Sequence, residues 1–280
     1  MNLKIKVNGT EIALESTSPV ASLESLDATE ASIATLSKEA DDLSKAIGAT
    51  ALMADIKTVE SFGYKSTEAV GQNVKEALSK FGVKVKEFLD KLIATIKNII
   101  MKKIVEGQIN AAAARLTSGK GQFDTVVVNA RKFHDFNAKK SELLQEADKL
   151  DKSGIPNNLM GVYNAINTIK SVVGSKSLMG GDFKVTDENA VAEVSFDAMS
   201  KIVLNAKSAM NKDIDALKVS IKACETARKD LDKTNGDIDT VKKVAAVTKL
   251  MQKGIGAIIT YTAAVANWKF KKPEAAPETK

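Results

Sequence analysis

The chain contains one cysteine, Cys224, and one histidine, His134, among its 280 residues. A single cysteine excludes a disulfide within the chain and any cysteine-rich zinc site. A single histidine excludes HExxH and three-histidine metal sites, and it leaves one candidate base for a histidine-dependent triad. Most familiar hydrolytic and redox chemistries therefore lack the residues they need, and we predict a protein that is not an enzyme and uses no cofactor or metal.

Aromatic residues make up only 5% of the chain, and there are four prolines. β-Sandwiches and barrels are richer in aromatic and turn residues, so this composition disfavours them. No apolar signal segment follows Met1. The longest uncharged apolar run, Gly254 to Trp268, is shorter than the roughly 20 residues of a membrane-spanning helix. Its many small residues indicate a closely packed core helix.

Hydrophobic spacing at three, four and seven residues predicts an all-α fold, an elongated bundle of six to eight helices. Alternating apolar residues on either side of Asn8-Gly9 add a small N-terminal β-hairpin. The first predicted helix runs from Ser18 to Gly48, which ends it, and a shorter helix follows to about Ser61. The others run over 67–116 with Gly82 as a candidate break, from Asp124 to about Lys152, from Asn157 or Asn158 to Gly174, from Thr186 to about Lys233 with a candidate break near Asn211, and from Asp237 to about Phe270. The Pro- and Glu-rich end, 271–280, is predicted to be disordered.

Charge is distributed unevenly along the chain. Residues 1–68 carry 6 lysines and 11 carboxylates, a net charge of −5, whereas residues 69–280 carry 35 basic and 24 acidic residues, a net charge of +11. We therefore divide the chain into an acidic N-terminal part (1–68), a basic helical bundle (69–270) and a tail (271–280). An acidic leader can lower the attraction of a basic body to polyanions while it is attached. The alternative is two solvated surfaces of opposite sign.

One helical stretch carries lysines opposite a wide isoleucine- and valine-rich face. These lysines are candidates for contact with a polyanion such as DNA, or with an anionic membrane. Without interleaved aromatic residues, any nucleic-acid binding would be non-specific. A solvated helix face is the alternative. The candidate residues are Lys80, Lys84, Lys86, Lys91, Lys97, Lys102 and Lys103.

Three local features have simpler interpretations than catalysis. His134 adjoins Asp135, but neighbouring residues on a helix do not face each other, so we predict a surface or interhelix histidine. Cys224 is predicted to be a small buried hydrophobe. Gly119-Lys120-Gly121 lacks the spacing and preceding strand of a phosphate loop, so we predict a solvated turn.

A second pattern concerns the glutamates of the acidic part. Six of the seven glutamates up to Glu68 lie two positions after glycine, alanine or serine, whereas only two of the ten later glutamates do. These six are Glu11, Glu15, Glu24, Glu30, Glu39 and Glu68.

With this pattern in view, residues 13–105 resemble internal head proteins, structural components of the virions of large contractile-tailed bacteriophages. The resemblance rests on Ala21-Ser22-Leu23-Glu24-Ser25-Leu26, on Thr58-Val59-Glu60-Ser61-Phe62-Gly63, and on the helix that begins Ser66-Thr67-Glu68-Ala69-Val70 and continues as KVKEFLDKLIATIKNIIMKK. It implies a protein made in the host cytoplasm and assembled into the head interior. Its implied partners are a prohead protease, capsid or other internal head proteins, and DNA bound non-specifically.

The resemblance also implies a propeptide that the protease removes after a small-x-Glu motif. Candidate bonds follow Glu15, Glu24, Glu30, Glu39 and Glu68. We favour Glu68, because cutting there removes the whole acidic part. Two other functions remain open: a helical pore-forming or membrane-active protein, and a cytoplasmic coiled-coil adaptor.

Overall fold

A computed structural model describes residues 4–7, 10–13, 19–60, 67–150, 155, 159–178, 191–233 and 238–271. Within them the chain is mainly α-helical, as the sequence predicts. The elements, in order, are β1 (Lys4–Val7), β2 (Thr10–Ala13), α1 (Pro19–Glu60), α2 (Thr67–Met101), α3 (Ile104–Gly119), β3 (Thr125–Asn129), α4 (Ala130–Asp148), α5 (Met160–Gly174), β4 (Val191–Ser195), α6 (Phe196–Lys233), α7 (Ile238–Ala266) and β5 (Trp268–Phe270).

The N-terminal strands β1 and β2 pair antiparallel, with Val7 opposite Thr10, as predicted for a hairpin. The predicted turn residues Asn8 and Gly9 lie outside the described residues, as does the tail from residue 272. The prediction that Gly48 ends the first helix is wrong, because α1 continues to Glu60. A glycine inside a helix costs only about 1 kcal/mol, too little to end a helix by itself.

The predicted helix over 67–116 is broken, but not at Gly82. The break is at Lys103, whose φ of 49° and ψ of 39° are left-handed, and it separates α2 from α3. The amide of Lys103 donates to the carbonyl of Ile100 at 3.0 Å, which tightens the last turn of α2. Ile104 and Val105 are buried directly after this residue. Core packing thus sets the bend, and no glycine or proline marks it.

The structure adds a three-stranded antiparallel sheet that the sequence analysis did not predict, with strand order β4-β3-β5. Residues 125–129, predicted to be helical, form β3, and α4 begins only after Asn129, whose side chain accepts a hydrogen bond from the amide of Lys132. Val126 and Val128 are buried, while residues 125, 127 and 129 are less so. This alternation is the pattern of a strand, and three consecutive valines favour it.

The other two strands also replace ends of predicted helices. Residues 191–195 form β4, so α6 starts at Phe196; α6 then runs to Lys233 without the candidate break near Asn211. Helix α7 ends at Ala266, and the chain continues as β5, in which Trp268 pairs with Val128.

Helix α7 is the centre of the bundle, since it contacts each of the other six described helices. The predicted core helix is confirmed: every residue from 254 to 266 is buried. Gly174 ends α5, also as predicted.

Candidate polyanion interface and cleavage sites

The seven candidate lysines lie on α2 and at its C-terminal end. Six of them are exposed and Lys86 is half-buried. At about 100° per residue, the outward midline of α2 passes through Val83 and Met101, which are 51% and 75% exposed. Lys80, Lys84 and Lys91 lie on one side of this midline, and Lys86 and Lys97 lie on the other. The predicted lysine face is therefore two flanks of one helix.

Each flank is joined to a neighbouring helix by an ion pair. Lys91 Nζ lies 2.7 Å from the carboxylate of Glu39 on α1. Lys97 Nζ lies 3.0 Å from Glu225 on α6, and Asp90 on the same side pairs with Arg228 of α6 at 2.6 Å. Part of the positive charge that the sequence assigned to a polyanion is thus balanced within the protein.

Four further lysines of the set lie in the middle of α2 or just beyond its C-terminal end. Lys84 lies over the ring of Phe81 at 5.9 Å, and Lys102 and Lys103 lie at the bend before α3. Among the described residues, no carboxylate forms an ion pair with Lys80, Lys84, Lys102 or Lys103. Within the described part of the chain, these four lysines are therefore the better candidates for phosphate contact.

The candidate cleavage sites fall in different settings. Glu24, Glu30 and Glu39 lie inside the 42-residue helix α1. Glu68 is the second residue of α2, and Glu15 lies outside the described residues. A protease binds its substrate in an extended conformation, so a bond inside a helix is cut only after that helix opens locally. A bond in the first turn, after Glu68, needs the least opening.

Helix α1 packs on the body through one apolar stripe. The stripe is buried, with exposed fractions of 9% or less, and consists of Leu26, Ile33, Leu36, Ala40, Leu43 and Ile47. Opposite it on α7, Gly256 permits close approach, because a Cβ there would lie 3.1 Å from Ile33 Cγ2. Gln252 of α7 donates a hydrogen bond to the carbonyl of Ile33 at 3.2 Å.

Carboxylates beside this stripe meet lysines of three body helices. Glu30 pairs with Lys132 of α4, Glu39 with Lys91 of α2, and Asp41 with Lys249 of α7 at 2.7 Å. The hydrogen bond from Lys249 lowers the pKa of Asp41, although partial burial opposes that effect. Sequence reasoning missed Lys132 and Lys249, because residues more than 100 positions apart carry no local signal of their proximity.

A further ion pair lies in the core, away from these surfaces. Lys176 Nζ is 2.7 Å from Asp213 Oδ1, with side-chain exposures of 2% and 0%, and 4.2 Å from the ring of Tyr261. Burial lowers the pKa of Lys176 and raises that of Asp213. Lys140 stabilises the chain at the end of α5, since its ammonium donates to the carbonyls of Gly174 and Lys176.

His134, Cys224 and Gly121 do not form a catalytic arrangement in the described structure. The side chain of His134 is 66% exposed, and its Nδ1 lies 3.8 Å from Asp135 Oδ1, so it is a surface histidine. Cys224 is 1% exposed, its thiol faces the sulfur of Met251 at 3.2 Å, and burial raises its pKa to about 12. Gly121 has a positive φ of 77° in the turn after α3.

The described residues lack two further features. They hold no cluster of three or more histidine, cysteine, aspartate or glutamate side chains suited to a metal ion. They also contain no helix that is long and apolar enough to cross a membrane. Comparison with protein-family models, curated proteins and solved structures gave no match.

Proposed function

We propose that this chain is a structural protein of a bacteriophage virion, located in the head interior and matured by a prohead protease. It is not an enzyme and needs no cofactor. Its basic body contacts packaged DNA, or neighbouring capsid and internal head proteins, through lysines of α2. The observation that carries the proposal is the sign change of charge at Glu68, from −5 before it to +11 after it, at a small-x-Glu motif.

The proposed DNA contact is electrostatic. Lysine ammonium groups neutralise phosphates and release condensed counterions, which gives binding without base readout. Lys80 and Lys84 in the middle of α2, with Lys102 and Lys103 at its C-terminal end, are the candidate contacts. Over the 22 residues from 80 to 102, these two groups lie about 33 Å apart along the helix at about 1.5 Å per residue.

The maturation step is tested first, by intact mass and N-terminal sequencing of the protein from its native source. A mature N-terminus at Ala69, or after another of the proposed glutamates, supports the proposal. An intact N-terminus at Met1 removes the maturation step from it.

The DNA contact is tested by measuring affinity for a random duplex between about 50 and 200 mM salt. Replacing Lys80, Lys84, Lys102 and Lys103 by glutamine should lower the slope of log K against log salt by up to about 3.6, at about 0.9 per lost phosphate contact. The matched control replaces four exposed lysines elsewhere: Lys120, Lys149, Lys201 and Lys207. Equal losses in both variants would show that only net charge matters, and salt-independent binding would end the DNA hypothesis.

A membrane-active protein is the second candidate function, and the apolar, centrally buried segment 254–266 of α7 favours it. Such a segment would have to leave the core before it reached a bilayer. Dye release from anionic liposomes by the purified chain tests this function, with loss of release on Ile258→Asp. Absence of dye release at all ratios of lipid to protein would exclude the membrane function and leave the virion proposal as the remaining one.

A further inference from the structure

The ion pairs between α1 and the body share one polarity. In the described part of the chain, each such pair has its carboxylate on α1 and its ammonium on the body: Glu30 with Lys132, Glu39 with Lys91, and Asp41 with Lys249. Glu30 also acts on Lys139 of α4, whose pKa is lowered by burial. Lys253, which bridges Glu142 and Glu146 of α4, lies close enough to act on Asp41.

These lysines come from three helices that converge only in the tertiary structure. Glu30 and Asp41 are 11 residues apart on α1, so the lysines they meet span about 16 Å along its axis at about 1.5 Å per residue. Phosphates on one DNA strand follow one another at about 3.4 Å along the duplex axis, so this span matches about five phosphates. Glu39 and Asp41 are about 200° apart around α1, which places Lys91 and Lys249 on opposite sides of it.

The packing beneath α1 is incomplete beside these charges. An open crevice of about 560 Å³ lies beside the contact of α1 with α4 and α7, and Ser37, Asp41, Lys139, Glu142 and Lys253 line it. The helix is therefore held by a narrow apolar stripe and by flanking ion pairs, and charged side chains border a gap between it and the body.

From this geometry we propose that α1 is an internal charge mask. Its carboxylates pair with lysines on both of its flanks, Lys132 and Lys249 on one side and Lys91 on the other, and a DNA phosphate backbone competes for these lysines. This inference rests on the proposed function for the identity of the polyanion. It adds a second set of DNA-contacting lysines, distinct from Lys80, Lys84, Lys102 and Lys103, that is exposed only when α1 is neutralised or leaves.

The mask predicts that position, and not only net charge, determines DNA affinity. We compare a mask variant, Glu30→Gln/Glu39→Gln/Asp41→Asn, with a control variant, Glu24→Gln/Asp27→Asn/Asp42→Asn. Both remove three negative charges from α1, and the control residues are exposed. Circular dichroism and thermal unfolding establish that both full-length variants are folded.

The mask variant should bind a random DNA duplex more tightly than the control, with a salt slope steeper by about 2 to 3, since each added phosphate contact contributes about 0.9. An equal gain in both variants would overturn the mask in favour of a simple net-charge effect. A smaller gain in the mask variant than in the control would overturn it as well.

A second measurement separates failure of the mask from failure of the DNA proposal. A site-specific protease sequence replaces residues 61–66, and the affinity of the cut α1 fragment for the remainder is measured against salt. The mask variant should bind its α1 fragment more weakly than the control variant at low salt, and the two affinities should converge near 1 M salt, where the screening length is only about 3 Å. If no variant binds DNA but this difference appears, the charge mask stands and DNA is not its competitor. If the two fragments bind equally at all salt concentrations, the mask is wrong.

Discussion

At the scale of single residues, the feature with the largest desolvation cost is the buried ion pair of Lys176 and Asp213. Lys176 lies just after α5 and Asp213 lies in the middle of α6, so the pair fixes the chain at the end of α5 against α6. Moving two charges out of water costs several kcal/mol for each ion, and only a close partner offsets that penalty. The tight contact at 2.7 Å and the adjacent ring of Tyr261 supply this compensation.

Removing one partner of this pair should destabilise the fold strongly. We expect Asp213→Ala to lower the free energy of unfolding by about 3–5 kcal/mol, because it leaves the ammonium of Lys176 buried without a counter-ion. Urea denaturation measures this loss. The control is Asp215→Ala, which breaks an exposed pair with Lys218 and should cost less than about 1 kcal/mol. The double variant Lys176→Met/Asp213→Leu should recover most of the loss; failure to recover it would locate the defect in packing and not in charge.

At the scale of elements, Gly254 and Gly256 of α7 permit close packing of neighbouring helices. A Cβ at Gly254 would collide with Cγ2 of Ile169 on α5, so α5 and α7 pack at a distance that only glycine permits. Gly107, in α3, has open space around its Cβ position. Glycine is thus required by close packing at Gly254 but not at Gly107, and the difference lies in whether a neighbouring helix occupies the Cβ position.

This contrast gives a matched pair of substitutions. Gly107→Ala should raise the free energy of unfolding by about 0.5–1 kcal/mol, because alanine favours the helix. Gly254→Ala has the same intrinsic benefit but should lower the melting temperature, since the added methyl group displaces Ile169. Thermal unfolding of both variants tests this difference. Stabilisation by both would mean that α5 moves away from α7 without penalty.

The attachment of α1 should also depend on pH. The pKa of Asp41 is lowered chiefly by its hydrogen bond with Lys249, while Lys253 and Lys45 add to this effect. A carboxyl whose pKa is lower in the folded state contributes stability above its ordinary value of 3.8, and that contribution is lost as pH falls through the folded value. Asp41→Asn should therefore weaken α1 attachment at about pH 6, and the difference should shrink as pH falls below 3.8 through the folded value. A difference that keeps its size as the pH falls would contradict this assignment.

At the scale of the whole molecule, α7 joins the parts that the charge distribution separates. Helix α1 belongs to the predicted acidic part, yet its apolar stripe is buried within the same core as α2 to α7. The division at residues 68 and 69 stays a prediction about processing, and the packing favours one cooperative folding unit for the uncut chain.

Cooperativity is directly measurable. We expect the full-length chain to unfold in one transition, with fluorescence of Trp268 and far-ultraviolet circular dichroism giving the same midpoint. Hydrogen exchange should show α1 amides protected to within a few kcal/mol of the global value. Early loss of α1 in a separate transition would instead show that it is an independent domain.

Some elements of this molecule could be predicted from the local sequence. The apolar periodicity of α2, the uninterrupted apolar run of α7 and the alternation around Asn8-Gly9 each predicted the correct element, because these patterns reflect burial of one face. The sequence also established the charge asymmetry and the shortage of residues for metal or thiol chemistry. Local signals failed where they competed with packing: Gly48 did not stop α1, and the bend at Lys103 had no glycine or proline to announce it.

Other features were decided only by the tertiary structure. The sheet of β3, β4 and β5 joins segments about 70 residues apart or more, and the pairs Glu30–Lys132, Asp41–Lys249 and Lys176–Asp213 join distant helices. The amino-acid sequence by itself determined that the chain is mainly helical, that one face of α2 and the apolar run of α7 are buried, and how much charge each part carries, because these properties depend on neighbouring residues. Which charge meets which, and so which lysines stay available to a polyanion, depends on how the helices pack, since electrostatic interactions act through space and not along the chain.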